Sequence, residues 1–297
     1  MNSTVFASQR IACLLVLGGL LAGSCQQTGN PNPAHFATSP QRKPVRPGLI
    51  DEASGIVDSR LMPGHLWVEE DGGTTTQLSL LAYDGSLTAR YALPGTTNRD
   101  WEDLTIGPGP QPNTTYLYLA DIGDNNATND VNTIYRFAEP GSLTEPLRDL
   151  TRIQFRYPDG ARDAETLLLD PLTRDLWIIT KREAKVHIYR LPYPQSTDQP
   201  MVAERVGELP LSVVTGGSLS TDGREIILKT YTGLYYWSRQ PGESVGQALL
   251  RAEPRQFNYL IEPQGEAVCF DKEGNGFYTL SERASAASVT LNYYGRL

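Results

Sequence analysis

Five similar segments recur along the chain, and their spacing constrains the fold more than any other feature. The segments read EASGIVD, WEDLTIGPG, AETLLLDP, GGSLSTDG and GEAVCFDKEG, and they start at Glu52, Trp101, Ala164, Gly216 and Gly265. Successive starts are roughly 50 to 60 residues apart, which is the length of a four-stranded β-propeller blade. We therefore predict that each segment is the innermost strand of one blade.

Each segment is followed by further strand-like runs. The second runs are HLWVEE, YLYLADIGD, DLWIITKRE, EIILKTY and GFYTLSER, and their aromatic and β-branched residues between turn sequences are typical of half-buried antiparallel strands. Trp67, Tyr118, Trp177 and Tyr278 take matching places in these runs, so we expect them to pack between blades. After residue 45 no helical period of apolar residues lasts more than two turns, which disfavours an α/β fold.

The predicted fold is all-β: a single β-propeller with five blades, each a four-stranded antiparallel sheet. Six blades are the alternative, because residues 148–157 and 202–211 supply strands that can be counted separately. A strand near the amino end of the domain is expected to pair with the carboxy-terminal blade, since an open sheet edge invites aggregation.

The amino terminus predicts export. The apolar run from Ile11 to Gly23 has the length of a signal-peptide core rather than of a membrane span. The sequence AGSC at its end resembles the lipobox of bacterial lipoproteins, whose cysteine, here Cys25, is acylated and becomes the new amino terminus after cleavage. This resemblance implies a signal peptide over residues 1–24 and a lipid anchor in the cell envelope, at the outer membrane or cell surface. The alternative is an ordinary secretory signal, which leaves Cys25 as a free thiol.

Composition separates the next part of the chain from the propeller. Residues 25–46 are rich in Pro, Asn, Gln and Thr and nearly free of large apolar side chains, so they cannot bury enough surface to order themselves. They are predicted to form a disordered tether in front of a propeller domain over residues 47–297.

Charge and cysteine content narrow the partners. The formal net charge of −8 repels nucleic-acid phosphates, so no nucleic-acid partner is expected, and the membrane is contacted through the lipid alone. Cys13 lies in the signal and Cys25 at the lipid site, so Cys269 has no disulfide partner and is expected to be a small buried residue. We expect a monomer whose partner is a small molecule or another protein.

Acidic residues open most of the repeated segments. Four segments carry a glutamate at one place, and Asp103 and Asp163 add to this set; the four glutamates are Glu52, Glu102, Glu165 and Glu266. Because innermost strands face the central channel, these carboxylates are expected to converge, which raises at least one pKa unless a cation lies among them. Oxygen ligands without His or Cys suit Ca²⁺. The alternative is that each carboxylate accepts N–H bonds from the neighbouring blade and binds no ligand.

A second charged set follows the second runs and is predicted to lie at the channel rim. Its members are Asp121, Asp124, Lys181, Lys229 and Glu282. Mixed charges at one level can hold a phosphate or carboxylate group while a carboxylate acts as general base or metal ligand. The alternative is a set of ordinary loop charges and ion pairs.

Four phrases resemble one protein family: DWEDL at Asp100, LADIGDN at Leu119, DAETLLLDP at Asp163 and QGEAV at Gln264. Together they resemble a family of exported bacterial propeller lipoproteins, akin to the SdiA-regulated, NHL-repeat and esterase-like-phytase propellers. The resemblance extends from Glu52 to the carboxy terminus and brings a fold but no defined activity. Two functions stay open: a tethered module that binds a ligand or protein at an acidic channel, and a metal-dependent hydrolase of a phosphoester, lactone or ester.

Overall fold

The computed structural model describes Met1, residues 35–251 and residues 253–297. Five β-sheets follow one another along these residues, and the innermost strands of the five sheets are Ala53–Asp58, Trp101–Pro108, Ala164–Leu169, Val214–Leu219 and Gln264–Phe270. The predictions of a signal peptide and of lipidation at Cys25 lie outside the described residues.

The strands are numbered in chain order, starting with β1 (Gln41–Pro44). Blade 1 consists of β2 (Ala53–Asp58), β3 (His65–Glu70), β4 (Gln77–Ala82) and β5 (Leu87–Ala92). Blade 2 consists of β6 (Trp101–Pro108), β7 (Thr115–Asp121), β8 (Asn132–Ala138) and β9 (Arg148–Arg156). Blade 3 starts with β10 (Ala164–Leu169), β11 (Leu176–Thr180) and β12 (Val186–Leu191).

The remaining strands complete the ring. A short β13 (Met201–Val202) pairs in parallel with β9, and β14 (Glu204–Leu209) is the outer strand of blade 3. Blade 4 consists of β15 (Val214–Leu219), β16 (Glu225–Thr230), β17 (Leu234–Ser238) and β18 (Arg255–Phe257), with helix α1 (Val245–Arg251) before the last strand. Blade 5 consists of β19 (Gln264–Phe270), β20 (Gly276–Glu282) and β21 (Thr290–Gly295), and β1 supplies its fourth strand.

The inner strands contact one another in a closed circle. β2 contacts β6, and the contacts continue through β10, β15 and β19 back to β2. The fold is therefore a five-bladed, all-β propeller, which confirms the predicted class and blade number. The strands that allowed six blades are the fourth strands β9 and β14 of blades 2 and 3.

The ring closes by pairing the two ends of the domain. β1 pairs antiparallel with β21, as in Gln41 opposite Tyr293, and Phe36 bridges Arg296. The Phe36 ring packs edge-on against Phe277, with ring centroids 5.0 Å apart. The predicted closure is confirmed, but the predicted tether over residues 25–46 extends too far, because Phe36 and β1 belong to the propeller.

Aromatic side chains fill the spaces between blades. Trp67, Tyr118, Trp177 and Tyr278 are buried, and each lies in a core cluster shared by adjacent blades, as predicted. In blade 4 the equivalent residue is Ile227, which packs with side chains of blade 5. Each flat sheet thus buries both faces against its neighbours, which is the main source of stability in a propeller.

Two smaller expectations concern cysteine and membranes. Cys269 is buried in the core cluster between blades 5 and 1, as predicted. Among the described residues no helix is long and apolar enough to cross a membrane.

Candidate functional site

Every inner strand carries an irregularity near its start, where its register with the second strand shifts. The residues at this β-bulge are Ser54, Glu102, Glu165, Thr215 and Glu266. Bulges next to functional sites redirect side chains. Glu52 lies two residues before this position, so its predicted equivalence to the other three glutamates is wrong. Hydroxyl residues hold the equivalent places in blades 1 and 4.

Three bulge glutamates converge with other acids at one end of the channel. We call this group of carboxylates the acidic mouth; it comprises Asp71, Asp100, Glu102, Asp163, Glu165, Glu266 and Glu282. Carboxylate oxygens of Glu102, Asp163 and Glu165 lie within 4.8 Å of one another, and all three residues are buried. Oxygens of Asp71, Asp100 and Glu102 lie equally close together. Glu102 therefore belongs to two adjacent groups of three carboxylates.

The loop after β7 forms one wall of the acidic mouth. This loop carries the ADIGDN phrase, and a Cβ atom on Gly123 would overlap the carboxylates of Glu102 and Asp100. Glycine is needed there because only a backbone without a side chain can come so close to the two acids. The glycine of the ADIGDN sequence is thus required by the close packing of this loop against the two acids.

The two aspartates of this loop position other acids. Asp121 Oδ1 accepts the backbone N–H of Asp100 at 3.0 Å, and Asp124 donates its own N–H to Asp163 Oδ1 at 2.8 Å. The Asp124 carboxylate turns back to its own loop and accepts the N–H of Asn129 at 2.7 Å. Burial alone would raise the pKa of Asp124, but the loop N–H bonds outweigh it and lower that pKa. Both residues lie beside the mouth, with their side chains bonded to backbone.

Lys181 is the cation of the acidic mouth. Its ammonium group is hydrogen-bonded to Glu165 Oε1 and lies 3.8 Å from Glu266 Oε1. Tyr231 donates its hydroxyl to the same Glu266 oxygen at 3.0 Å, and Ser54 Oγ bonds the other at 3.3 Å. Glu266 Oε1 is thus satisfied from blade 4, whereas its Oε2 shares the single proton of the Ser54 hydroxyl with the Glu102 carbonyl.

Glu165 differs from Glu266 in one oxygen. Its Oε1 is bonded to Lys181, whereas its Oε2 is buried and has no hydrogen-bond partner among the described residues. Arg182 pairs with Asp163 beside it, but its side chain is half exposed. Leaving a buried carboxylate oxygen without a partner costs stability, so this oxygen marks a place where a further electrophile or donor fits.

Crowding of carboxylates raises their pKa values. Burial raises the pKa of Glu102 well above its usual range, and the neighbouring Glu165 carboxylate raises it further. Burial likewise raises the pKa of Glu165, although Lys181 opposes the effect. Burial lowers the pKa of Lys181, but the Glu165 carboxylate outweighs it, so this pKa is raised and the ammonium keeps its charge.

The rim carboxylates shift in the same direction. Burial, reinforced by the Glu266 carboxylate, raises the pKa of Glu282 to about 10. Burial also raises the pKa of Asp71 to about 6, with a further contribution from Asp100. In the absence of a cation the mouth therefore holds protons that isolated carboxyl groups would release at neutral pH.

Asp103 fulfils the alternative role of a connector between blades. Its Oδ2 accepts the N–H of Leu167 in blade 3 at 2.8 Å, and its Oδ1 accepts the N–H of Leu104 at the same distance. Burial raises the pKa of Asp103, while these two N–H bonds oppose the shift. The hydroxyl group at the bulge of blade 1 also connects two blades, because Ser54 Oγ donates to the Glu102 carbonyl of blade 2 at 2.9 Å.

Lys229 does not lie at the rim. It pairs with Gly216 two positions deeper than Lys181, and its side chain is fully buried between blades 4 and 5. The ammonium group is paired with Glu262 and donates to the Ala267 carbonyl at 3.2 Å. The placement of Lys229 at the rim is therefore wrong, because spacing alone does not resolve an offset of two residues along a strand.

Sequence reasoning missed several members of the mouth. In each blade the residue before the bulge pairs with a residue of the second strand, and the next residue along that second strand lies at the mouth. These next residues are Asp71, Ile122, Lys181, Tyr231 and Glu282. Lys181 and Glu282 were predicted to lie at the rim. Asp71 and Tyr231 hold the same position in their own repeats, so an alignment of the five repeats at this position would have identified them. Glu69 lies on β3 at the place equivalent to Lys229; it is fully buried beside blade 2, and burial raises its pKa.

The fold and the site define a class: a five-bladed β-propeller with a carboxylate-rich opening at one end of its channel. No protein-family model matches the sequence, and no curated protein matches it either.

Several solved propeller structures are similar to this chain. The luciferin-regenerating enzyme is 11% identical with a TM-score of 0.46, covering 82% of this chain and 73% of that chain. The β-propeller domain of Cps50 (Swd1) from Myceliophteria thermophila is 11% identical with a TM-score of 0.43, covering 89% and 99%. A chain of the nidogen/laminin complex is 8% identical with a TM-score of 0.44, covering 79% and 78%. The likeness concerns the propeller fold.

Proposed function

We propose that the acidic mouth binds a hard divalent cation, with Ca²⁺ as the best match, and that the protein uses this mouth to hold a small-molecule or protein ligand. The donors are carboxylate oxygens, and neither His nor Cys is among the residues of the mouth. Such a donor set suits Ca²⁺ better than Zn²⁺ or Cu²⁺.

One observation carries this proposal: the buried Oε2 of Glu165 has no hydrogen-bond partner and lies in the group with Glu102 and Asp163. Asp103, by contrast, has a hydrogen bond on each of its oxygens. A cation among the three carboxylates satisfies this oxygen and removes the repulsion that raises the pKa of Glu102.

Melting of the purified protein in Ca²⁺ and in chelator tests the proposal. A cation that binds only the folded state stabilises it by about 2.7 kcal/mol at a concentration 100 times its Kd, so the melting temperature should rise with Ca²⁺. Glu165→Gln should remove most of this rise, whereas Glu253→Gln, at an exposed position, should keep it. Identical melting in Ca²⁺, Mg²⁺, Mn²⁺ and chelator would contradict the proposal.

A double-mutant cycle separates one shared ion from independent effects. If Glu102 and Glu165 hold the same ion, either Glu102→Ala or Glu165→Ala should abolish the Ca²⁺-dependent shift, and the double variant should add nothing. Two separate, additive losses would instead favour independent structural roles.

A metal-dependent hydrolase is the second candidate. The observation in its favour is that Glu102 is shared by two groups of three carboxylates, the arrangement of a carboxylate that bridges two metal ions. Turnover of a p-nitrophenyl phosphate, a p-nitrophenyl ester or a lactone that needs the cation and is lost in Glu102→Gln would support it. Cation binding without turnover of any of the three supports the binding function alone.

We also propose that the protein is exported and tethered to the cell envelope through lipid on Cys25, and acts there as a monomer. Support comes from the apolar run, the AGSC sequence and the resemblance of DWEDL and ADIGDN to exported propeller lipoproteins. Labelling with an alkyne fatty acid should mark the wild-type protein and leave Cys25→Ala unmarked. Equal labelling of both, or of neither, would contradict lipidation at Cys25.

A further inference from the structure

A second cavity lies at the end of the channel opposite the acidic mouth. Its volume is about 590 Å³, within the usual range for small-molecule sites. The inner strands run away from the bulges, and the cavity is lined by their far ends in blades 2, 3 and 4, together with Arg60 after β2 of blade 1. Residues from four blades therefore meet around it.

The chemistry of this cavity is the reverse of that of the mouth. Its lining includes Arg60 and Arg174, the hydroxyls of Thr105 and Ser220, and the amide of Gln111. Not one of the described lining residues is Asp or Glu, although the chain has 34 acidic residues and a net charge of −8. Such a lining favours an anionic group over a cation.

Arg60 has donor capacity to spare. Its Nη1 has no hydrogen-bond partner in the described part of the chain but is shielded from solvent, so a ligand in the cavity reaches this nitrogen after a rotation of the side chain. The nearby Asp58 is already occupied, since its Oδ1 accepts the Tyr83 hydroxyl at 2.6 Å and its Oδ2 accepts the Lys272 N–H at 2.7 Å. Glu139, whose Oε2 also lacks a partner, is the competing acceptor for Arg60. Guanidinium groups bind carboxylates and phosphates through paired N–H donors.

Arg174 is fixed at the other side of the cavity. Its Nη1 donates to the Gly109 carbonyl at 3.2 Å, and its guanidinium lies 3.8 Å from the centre of the Tyr193 ring. These contacts hold a positive charge in the wall without neutralising it, because neither partner carries a negative charge.

We propose that this cavity binds a small polar molecule that carries an anionic group, a carboxylate or a phosphate. The anionic group lies on Arg60, and the polar body of the ligand is held by the hydroxyl and amide side chains of the wall. The site is independent of the acidic mouth, since the two lie at opposite ends of the inner strands.

Calorimetric titration of the full chain, freed of metal on a chelating resin and kept in metal-free buffer, tests this site without any contribution from a cation at the mouth or from a dissolved polycarboxylate chelator. The probes are glucose 6-phosphate and gluconate, with glucose as the neutral control. Both anions should bind, and glucose should bind at least about tenfold more weakly because it lacks the charge that Arg60 pairs with.

Two variants locate the binding. Gln111→Glu places a negative charge at an exposed lining residue and should weaken both anions about fivefold or more, whereas Gln199→Glu, exposed and outside the cavity, should leave them unchanged. Arg60→Gln should weaken them about tenfold. Absence of heat from both anions at about 10 mM, or affinities that neither Gln111→Glu nor Arg60→Gln alters, would overturn the proposal and would favour pairing of Arg60 with Glu139.

Discussion

The acidic mouth and the polar connections between blades are both built from buried charge, yet they differ in how that charge is satisfied. Between blades 3 and 4, Asp170 receives two hydrogen bonds of 2.8 Å from Arg239, one on each oxygen. In the mouth, Glu165 Oε2 has no partner, and the carboxylates of Glu102 and Glu165 face each other. Both regions contain buried acids, so burial alone does not show whether an acid connects blades or could bind a cation.

The contrast indicates that a candidate cation site is marked by an unpartnered carboxylate oxygen that lies among other carboxylates, and not by burial alone. Adjacent residues make the contrast clearest: Asp103 binds two N–H groups, and Glu102 meets other carboxylates. A buried charge that is fully bonded holds the fold together, whereas one left among like charges stores free energy that a cation can release.

The largest effect is expected at the saturated pair. Asp170→Ala leaves the buried Arg239 guanidinium without its partner and should lower the free energy of unfolding by about 3–5 kcal/mol. Urea denaturation measures it. The matched change at an exposed acid, Asp222→Ala, should cost less than about 0.5 kcal/mol. Similar losses of unfolding free energy in Asp170→Ala and Asp222→Ala would show that the buried, fully bonded acid contributes no more to stability than an exposed one.

A smaller loss is expected at Asp103. In Asp103→Asn the new amide group faces the N–H of Leu167 or of Leu104, so one of these donors loses its acceptor. We expect a loss of about 1–3 kcal/mol in urea denaturation, with or without Ca²⁺. A loss that Ca²⁺ abolishes would move Asp103 from the blade connections to the cation site.

At Glu102, next to Asp103, a substitution should raise rather than lower the free energy of unfolding when no cation is present. In chelator, burial and the neighbouring carboxylates make the folded protein hold a proton on Glu102 that the unfolded chain releases. Glu102→Gln removes the free-energy cost of taking up this proton, so it should stabilise the protein by about 1 kcal/mol at neutral pH. In saturating Ca²⁺ the same variant should be less stable than the wild type, because it loses a ligand. Urea denaturation in chelator and in Ca²⁺ measures the two free energies of unfolding. Destabilisation by Glu102→Gln in chelator would show that Glu102 stabilises the fold without a cation.

A dependence of stability on pH follows from the same crowding of carboxylates. The folded-state pKa of Glu282 is raised from about 4.5 to about 10, so the folded protein holds a proton that the unfolded chain releases. Stability in chelator should therefore fall as the pH rises from 4.5 toward 10, and Glu282→Gln should flatten the slope. The stabilisation by Ca²⁺ should grow over the same range, since the cation binds ionised carboxylates. Melting curves at pH 5, 7 and 9 test both trends.

Sequence reasoning predicted the ring of blades because their spacing and aromatic residues follow directly from the repeat. Trp67 and Tyr118 lie where the alternation of the second strands places them. Sequence reasoning also predicted a closing strand but not its position at β1, because all four of its residues are exposed and its pairing with β21 rests on backbone bonds that leave no apolar pattern in the sequence.

Register was harder to predict than fold. Ser54, not Glu52, occupies the bulge of blade 1, and Lys229 lies two positions below Lys181. Both offsets depend on which backbone groups pair across strands, and an offset of two residues keeps every side chain on the same face of the sheet. The convergence of Asp71 and Asp100 with Glu102 depends on a loop, which the strand pattern does not describe.

The most direct measurement is an anomalous diffraction map of crystals grown with Mn²⁺, a hard cation that stands in for Ca²⁺. The account predicts a peak bounded by the carboxylates of Glu102, Asp163 and Glu165, with the Oε2 of Glu165 among the ligands. A map without a peak at these carboxylates, in crystals with Mn²⁺ at millimolar concentration, would contradict it.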